Sequence, residues 1–190
     1  MSDESSMPKI GNTKEILANS LCTLAETKPV NDITVLDIVN NCGLTAPTFY
    51  NHFRNKSDLI IWYYTEQWSS RLEKTGKEGY EWRDALHDGF RIWAENRKVM
   101  LNLLEYTDGE EAIVEHLHDI NVELTSSEIK KKLSEGQTLP PDTDELLKFY
   151  CYGTFGYAYN TLKKDDFDPD RVADICEYGL PYILKMFLYG

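Results

Sequence analysis

The sequence predicts an all-α chain of about nine helices. Three observations carry that prediction. Apolar residues recur at three- and four-residue steps along most of the 190 positions. The two-residue alternation of a half-buried strand is almost absent. Gly, Pro, Asn and Asp punctuate the periodic stretches as turn signals. The first helix is expected from about Thr13 to Thr27, with Ile16, Leu17, Ser20, Leu21 and Leu24 on one face. The second opens at Thr34-Val35-Leu36-Asp37, where a Thr three residues ahead of an acid makes a capping box. Asn41-Cys42-Gly43 stops it, since Gly tolerates the left-handed conformation of a helix end. Thr45 starts the third, and Pro47 costs little there because early helical N–H groups have no intrahelical partner. Ser57 is the expected N-cap of a fourth helix, which runs past Trp68 towards Thr75 until Gly76 and Gly79 break it. The fifth and sixth are expected over about Tyr80–Glu95 and Arg97–Tyr106, and the seventh over about Glu110–Leu133. A loop over Gly136–Pro141 precedes an eighth helix from Asp142 to Lys163. The ninth runs from Asp168 or Pro169 to Leu188, with a kink at Pro181.

Hydrophobic content of 42% with 12% aromatic residues is enough for a real core. The expected organisation is a polar, disordered tail over 1–11, a small N-terminal domain over 12–56, and a larger helical domain over 57–190. The fourth helix begins beside the small domain and ends in the larger one, a mechanical connection suited to passing a signal. No apolar run approaches the ~20 residues of a membrane span, and the start does not read as a signal peptide, so a cytoplasmic location without membrane contact is expected. Cys22, Cys42, Cys151 and Cys176 form no CxxC pair and read as small buried apolar residues.

The segment Thr34–Asp58, TVLDIVNNCGLTAPTFYNHFRNKSD, has helix–turn–helix spacing. Within and around it lie Thr13-Lys14-Glu15-Ile16-Leu17, Ile33-Thr34-Val35-x-Asp37-Ile38-Val39, Cys42-Gly43-Leu44-Thr45, Thr48-Phe49-Tyr50-x-His52-Phe53 and Lys56-x-Asp58-Leu59. Together these resemble the tetracycline-repressor-type (TetR) regulators, and the TFYxHFxxKxDL run is the specific part. The motif match covers about residues 10–62; beyond it the likeness is one of length and helical layout. Lys28-Pro29-Val30 leading into Ile33-Thr34-Val35, and Tyr152-Gly153…Gly156-Tyr157, are similar to a branch that includes a dihydroxyacetone-kinase activator.

The resemblance implies a double-stranded DNA operator with two-fold symmetry as partner, a homodimer, and a small-molecule effector. It also implies that Thr34, Thr45, Tyr50, His52 and Lys56 face phosphates. Lys56 just ahead of the fourth helix would join a cation to helix N–H groups. From the residues themselves, Thr45, Ala46, Pro47 and Thr48 form the exposed start of the reading helix. Ala46 and Pro47 can offer only apolar contact, as to a thymine methyl, while Thr48 and Asn51 can hydrogen-bond base edges. Phe49 and Phe53 read as core. Thr-Ala-Pro-Thr stands where many relatives carry a basic residue, which removes the strongest guanine reader. Net charge is −12: residues 1–60 hold five Lys/Arg against seven acids, and residues 61–190 hold 15 against 25. Few phosphate contacts and modest non-specific affinity follow.

In the larger part, a dimer interface is expected on the eighth helix at Tyr150, Gly153, Thr154 and Tyr157. On the ninth it is expected at Ile175, Gly179, Tyr182, Ile183 and Met186. Two such helices per chain would make a four-helix interface. The resemblance places a ligand cavity among the fourth to eighth helices, with Trp62, Trp93, Tyr106 and Tyr152 as candidate lining. Glu111, Glu115 and His118 share one helical face, but an acidic solvated face is the expected reading, so no metal and no cofactor are assigned. No Gly-rich phosphate loop, nucleophile elbow or HExxH is present, and no enzyme is expected. The expected function is a sequence-specific, ligand-controlled transcriptional regulator, a repressor in sign. The alternative is a protein-binding adaptor on the same scaffold, motivated by the acidic balance and the missing cation.

Overall fold

A computed structural model describes residues 12–108, 111–134 and 136–189. The tail expected over 1–11 lies outside the described residues. Ten α-helices are present among the described residues: α1 (Thr13–Ala25), α2 (Val35–Asn41), α3 (Ala46–Tyr50), α4 (Lys56–Leu72), α5 (Trp82–Glu95), α6 (Arg97–Leu104), α7 (Ile113–Lys131), α8 (Thr143–Leu162), α9 (Pro169–Tyr178) and α10 (Tyr182–Leu188). A two-residue antiparallel pair, β1 (Thr107–Asp108) and β2 (Glu111–Ala112), joins α6 to α7. The sequence carried no sign of it, because four residues of pairing leave no periodic pattern.

Local chemistry explains the boundaries. Asn12 and Glu15 form a capping box on α1, and Thr34 and Asp37 form one on α2. Gly43 takes φ +70° between α2 and α3, where a side chain would strain the backbone. The cap of α4 differs from expectation. Asn55 accepts the Asp58 N–H at 2.9 Å, while Ser57 is buried inside the first turn. The expected ninth helix is two. Pro181 cannot donate its N–H to a continuing helix, so α9 stops at Tyr178 and α10 restarts at Tyr182.

The core runs through the whole bundle. α1, α2 and α3 close around Leu17, Leu21, Ile38, Phe49 and Leu59. Ser20, itself buried, donates to the Ile38 carbonyl at 2.7 Å and accepts from Asn41, joining α1 to α2. α4 packs on α1 at one end and on α5 and α7 further along; α5 lies against α9, and α7 against α8. No helix among the described residues is long and apolar enough to cross a membrane.

Candidate nucleic-acid interface and interior cavity

α3 is only five residues long and is positioned by what it buries. Phe49 is fully buried, and Phe53, 5.8 Å from it, is nearly so. Burying those two positions leaves Pro47, Tyr50 and Asn51 facing outward, with Ala46 and Thr48 half-buried. Tyr50 is 59% exposed, its ring edge-on to Phe49. Asn51 and His52 lie just past the helix end and are exposed. Thr34 and Thr45 are exposed N-caps. The Thr45 and Thr48 hydroxyls share a hydrogen bond of 2.9 Å. Of the nine residues expected to contact DNA, these eight are thus exposed or half-buried at α3, its flanks and the start of α2.

The ninth does not behave as expected. Lys56 turns inward: its Nζ donates to the carbonyls of Val30 and Ile33 at 2.6 Å each and sits 4.7 Å from the Tyr106 ring centroid. An ammonium gripped by carbonyls and an aromatic face serves the fold rather than a phosphate. The other cations between residues 12 and 60 are also engaged. Lys14 lies over the Phe53 and Trp62 rings, Lys28 pairs with Asp37 at 2.9 Å, and Arg54 pairs with Asp58 at 2.8 Å. Arg54 was not singled out by the sequence. Its guanidinium grips Asp58 with two bonds, Nε to Oδ2 at 2.8 Å and Nη2 to Oδ1 at 3.0 Å, while the side chain stays 89% exposed.

The loop carrying Lys56's carbonyl partners is held a second time. Asn102 on α6 accepts the Val30 N–H and donates to the Ala25 and Lys28 carbonyls, each at 2.8 Å. Asn31 accepts the Thr107 N–H at 3.2 Å. The small domain is therefore clamped by α6 as well as continued into α4.

Inside the larger part, a cavity of about 40 Å³ opens between α4, α5, α7 and α8. Trp68, Phe90 and Trp93 form its aromatic wall, with Tyr64, Asn121 and Thr125 across from them. Of the four expected lining residues, Trp93 is there. Trp62 packs on Phe53, 5.9 Å away, beside the small domain. Tyr106 sits under Lys56. Tyr152 is on the surface, its hydroxyl on Asp119 at 2.5 Å and its ring stacked on His118. Helical phase separates them: Trp62 and Trp68 are six residues apart and project from different sides of α4. The stripe Trp82, Leu86, Phe90, Trp93 at helical steps was the readable signal for the true wall. Among the described residues no group of three or more His, Cys, Asp or Glu is placed to hold a metal ion.

Along α8 to α10 a face of large apolar side chains meets solvent: Phe149 at 80%, Tyr182 at 79% and Tyr178 at 74%, with Met186 and Tyr157 also exposed. A shallow groove there is lined by Gly153, Thr154, Tyr157, Ile175 and Gly179, with Ile183 half-buried nearby on α10. Tyr150, expected at this interface, is buried at the floor of that groove. Its hydroxyl donates to the Cys176 carbonyl at 3.1 Å and accepts from Trp82 Nε1 at 3.2 Å, which turns the ring inward.

Residues 22–61 match the family of bacterial regulatory proteins, tetR family. Over that N-terminal segment the chain resembles the TetR-type regulators. The chain is similar to the HTH-type dhaKLM operon transcriptional activator DhaS of Lactococcus lactis subsp. lactis (strain IL1403), with 27% identity over 85 residues. That stretch is 45% of this chain and 45% of the relative's own length, so the match spans less than half of either. Among solved structures, the dihydroxyacetone kinase operon activator DhaS superposes with a TM-score of 0.59 at 16% identity, covering 93% of this chain and 96% of that one. A TetR transcriptional regulator from Rhodococcus sp. RHA1 superposes with a TM-score of 0.58 at 13% identity, covering 88% and 95%. At these identities the structures establish the shared all-α fold; the relatives are regulators, not enzymes.

Proposed function

We propose that the protein is a homodimeric, sequence-specific DNA-binding transcriptional regulator whose affinity for a two-fold-symmetric operator is set by a small molecule in the α4–α5–α7–α8 cavity. The observation that carries this reading is the helix–turn–helix with Tyr50, Pro47 and Asn51 turned outward, within the segment that matches the family. One such head reads too little sequence; two related by a dimer axis read two half-sites. The exposed aromatic face on α8–α10 is the surface we assign to the dimer. Gly153 and Gly156 support that assignment: a Cβ added at either would meet nothing within the chain. Mid-helix glycine is unfavourable by about 1 kcal/mol relative to alanine, and a partner's close approach would account for it. The resemblance to tetracycline-repressor-type regulators leads to the expectation of a repressor, whereas the curated relative is named an activator; a promoter fusion reads the sign directly.

Selection of bound sequences from a random duplex pool, at low and moderate salt, tests the reading. Wild type should recover a two-fold site. Tyr50→Ala should lose about thirtyfold in affinity, as expected for one hydrogen bond removed from each of two heads, and should stay dimeric. No enrichment at either salt favours the second reading, a protein-binding adaptor on this scaffold. The specific observation behind that second reading is that each Lys and Arg between residues 12 and 60 has an intramolecular partner. In the DNA-binding reading, Arg54 leaves Asp58 for a phosphate, and Arg54→Ala lowers affinity and flattens the salt dependence.

A further inference from the structure

We infer that the cavity takes a small uncharged molecule, of about three or four heavy atoms, that carries a hydrogen-bond acceptor for the Trp68 indole N–H. This rests on the effector-controlled reading above and names the chemistry of its ligand. Trp68 is 8% exposed and lines the cavity, yet its Nε1 is buried without a partner. The Tyr64 hydroxyl lies close enough to Trp68 to be influenced by it, but outside hydrogen-bond geometry with Nε1, and it is already donating to Asn121. Buried donors are nearly always satisfied, so an orphan beside a void marks the place of a missing acceptor.

The other polar groups of the wall are committed. Tyr64 donates to Asn121 Oδ1 at 2.8 Å, Asn121 donates to the Leu117 carbonyl, and Thr125 donates to the Asn121 carbonyl. The wall contains no Asp, Glu, Lys, Arg or His. A charged ligand would lie in an aromatic pocket without a counter-charge, which is strongly unfavourable. A polyhydroxylated one would leave its own hydroxyls unpaired. The volume of about 40 Å³ holds roughly three waters, which fits a three- or four-atom ketone, ether or amide.

Gly89 supplies the room. A Cβ there would fall 2.5 Å from Trp68 Cη2 and 2.7 Å from Cζ3, so only glycine lets the indole lie back against α5. Any side chain at position 89 drives the ring into the space the ligand would use.

The test is titration of the full chain with the isosteric probes acetone, isobutene and acetate at pH 7, following the indole N–H resonances by NMR, with Trp68→Phe identifying the Trp68 signal. Acetone should shift that signal, and acetate should leave the spectrum unchanged. Trp68→Phe should weaken acetone binding about tenfold, the loss of one hydrogen bond, without weakening isobutene. Gly89→Ala should abolish binding of both. Equal binding of acetate, undiminished acetone binding by Trp68→Phe, or no shift of the Trp68 signal by acetone overturns the inference. Operator selection run alongside separates the two failures. Ketone binding without an operator leaves the cavity assignment standing and sinks the regulator; an operator without ketone binding does the reverse.

Discussion

Asp37 shows how one residue can serve the reading head twice. Its carboxylate accepts the Thr34 N–H that closes the capping box and then the Lys28 ammonium, and these bonds hold its pKa down from 3.8 to about 2. A carboxyl with a depressed folded pKa stabilises the fold above its unfolded value and loses that contribution as pH falls through the folded one. Thermal unfolding followed by circular dichroism should therefore show a fall in midpoint between pH 4 and 2, and Asp37→Asn should make that fall shallower. Burial raises the thiols of Cys22 and Cys151 to about 11 and that of Cys176 to about 12. These three should react with a thiol reagent only when the chain unfolds, in keeping with their reading as packing residues. The capping Thr and its acid were legible because their spacing is local. The role of Lys56 was not, since its partners are main-chain carbonyls 23 and 26 residues away.

Between elements, the joint that matters most for coupling is Asn102. Its one side chain fills three hydrogen bonds of the loop between α1 and α2. Asn102→Ala should destabilise the protein by about 2 kcal/mol in urea unfolding, because partly buried backbone groups lose their partners. In the regulator reading it should also reduce the effect of ligand on operator affinity. On α5, Trp93 is nearly fully buried among Tyr64, Trp68, Phe90 and Phe155. Trp93→Ala should cost about 3–5 kcal/mol by the same measurement. The helix periods were readable because each buried stripe repeats along one element. The Ser57–Asn55 difference has a local cause: both residue types cap well, and burial of position 57 decides between them. Tyr106 and Tyr152 could not be placed from their aromatic character alone, since it does not say which side of a helix faces the cavity.

At the scale of the molecule, the acidic excess belongs to the larger part of the sequence, and large apolar side chains on α8–α10 stand exposed among the described residues. Contiguous apolar patches of this kind mark interfaces. Tyr182→Glu should convert the protein from dimer to monomer in sedimentation velocity and should lower operator affinity with it, while leaving helical content unchanged. A variant that stays dimeric would remove α10 from the interface.

The sequence by itself determined the all-α class, the helix–turn–helix with its caps and its Gly43 turn, the likeness to TetR-type regulators, and the exposed position of Tyr50. Those depend on neighbours within a few positions, where spacing and residue type are sufficient. Only the tertiary structure decided that Lys56 and Tyr150 face inward, that Trp68 rather than Trp62 walls the cavity, and that Gly89 makes the room beside it. Each of those depends on which helices meet and at what rotation, and contacts across 20 to 80 residues leave no periodic trace along the chain.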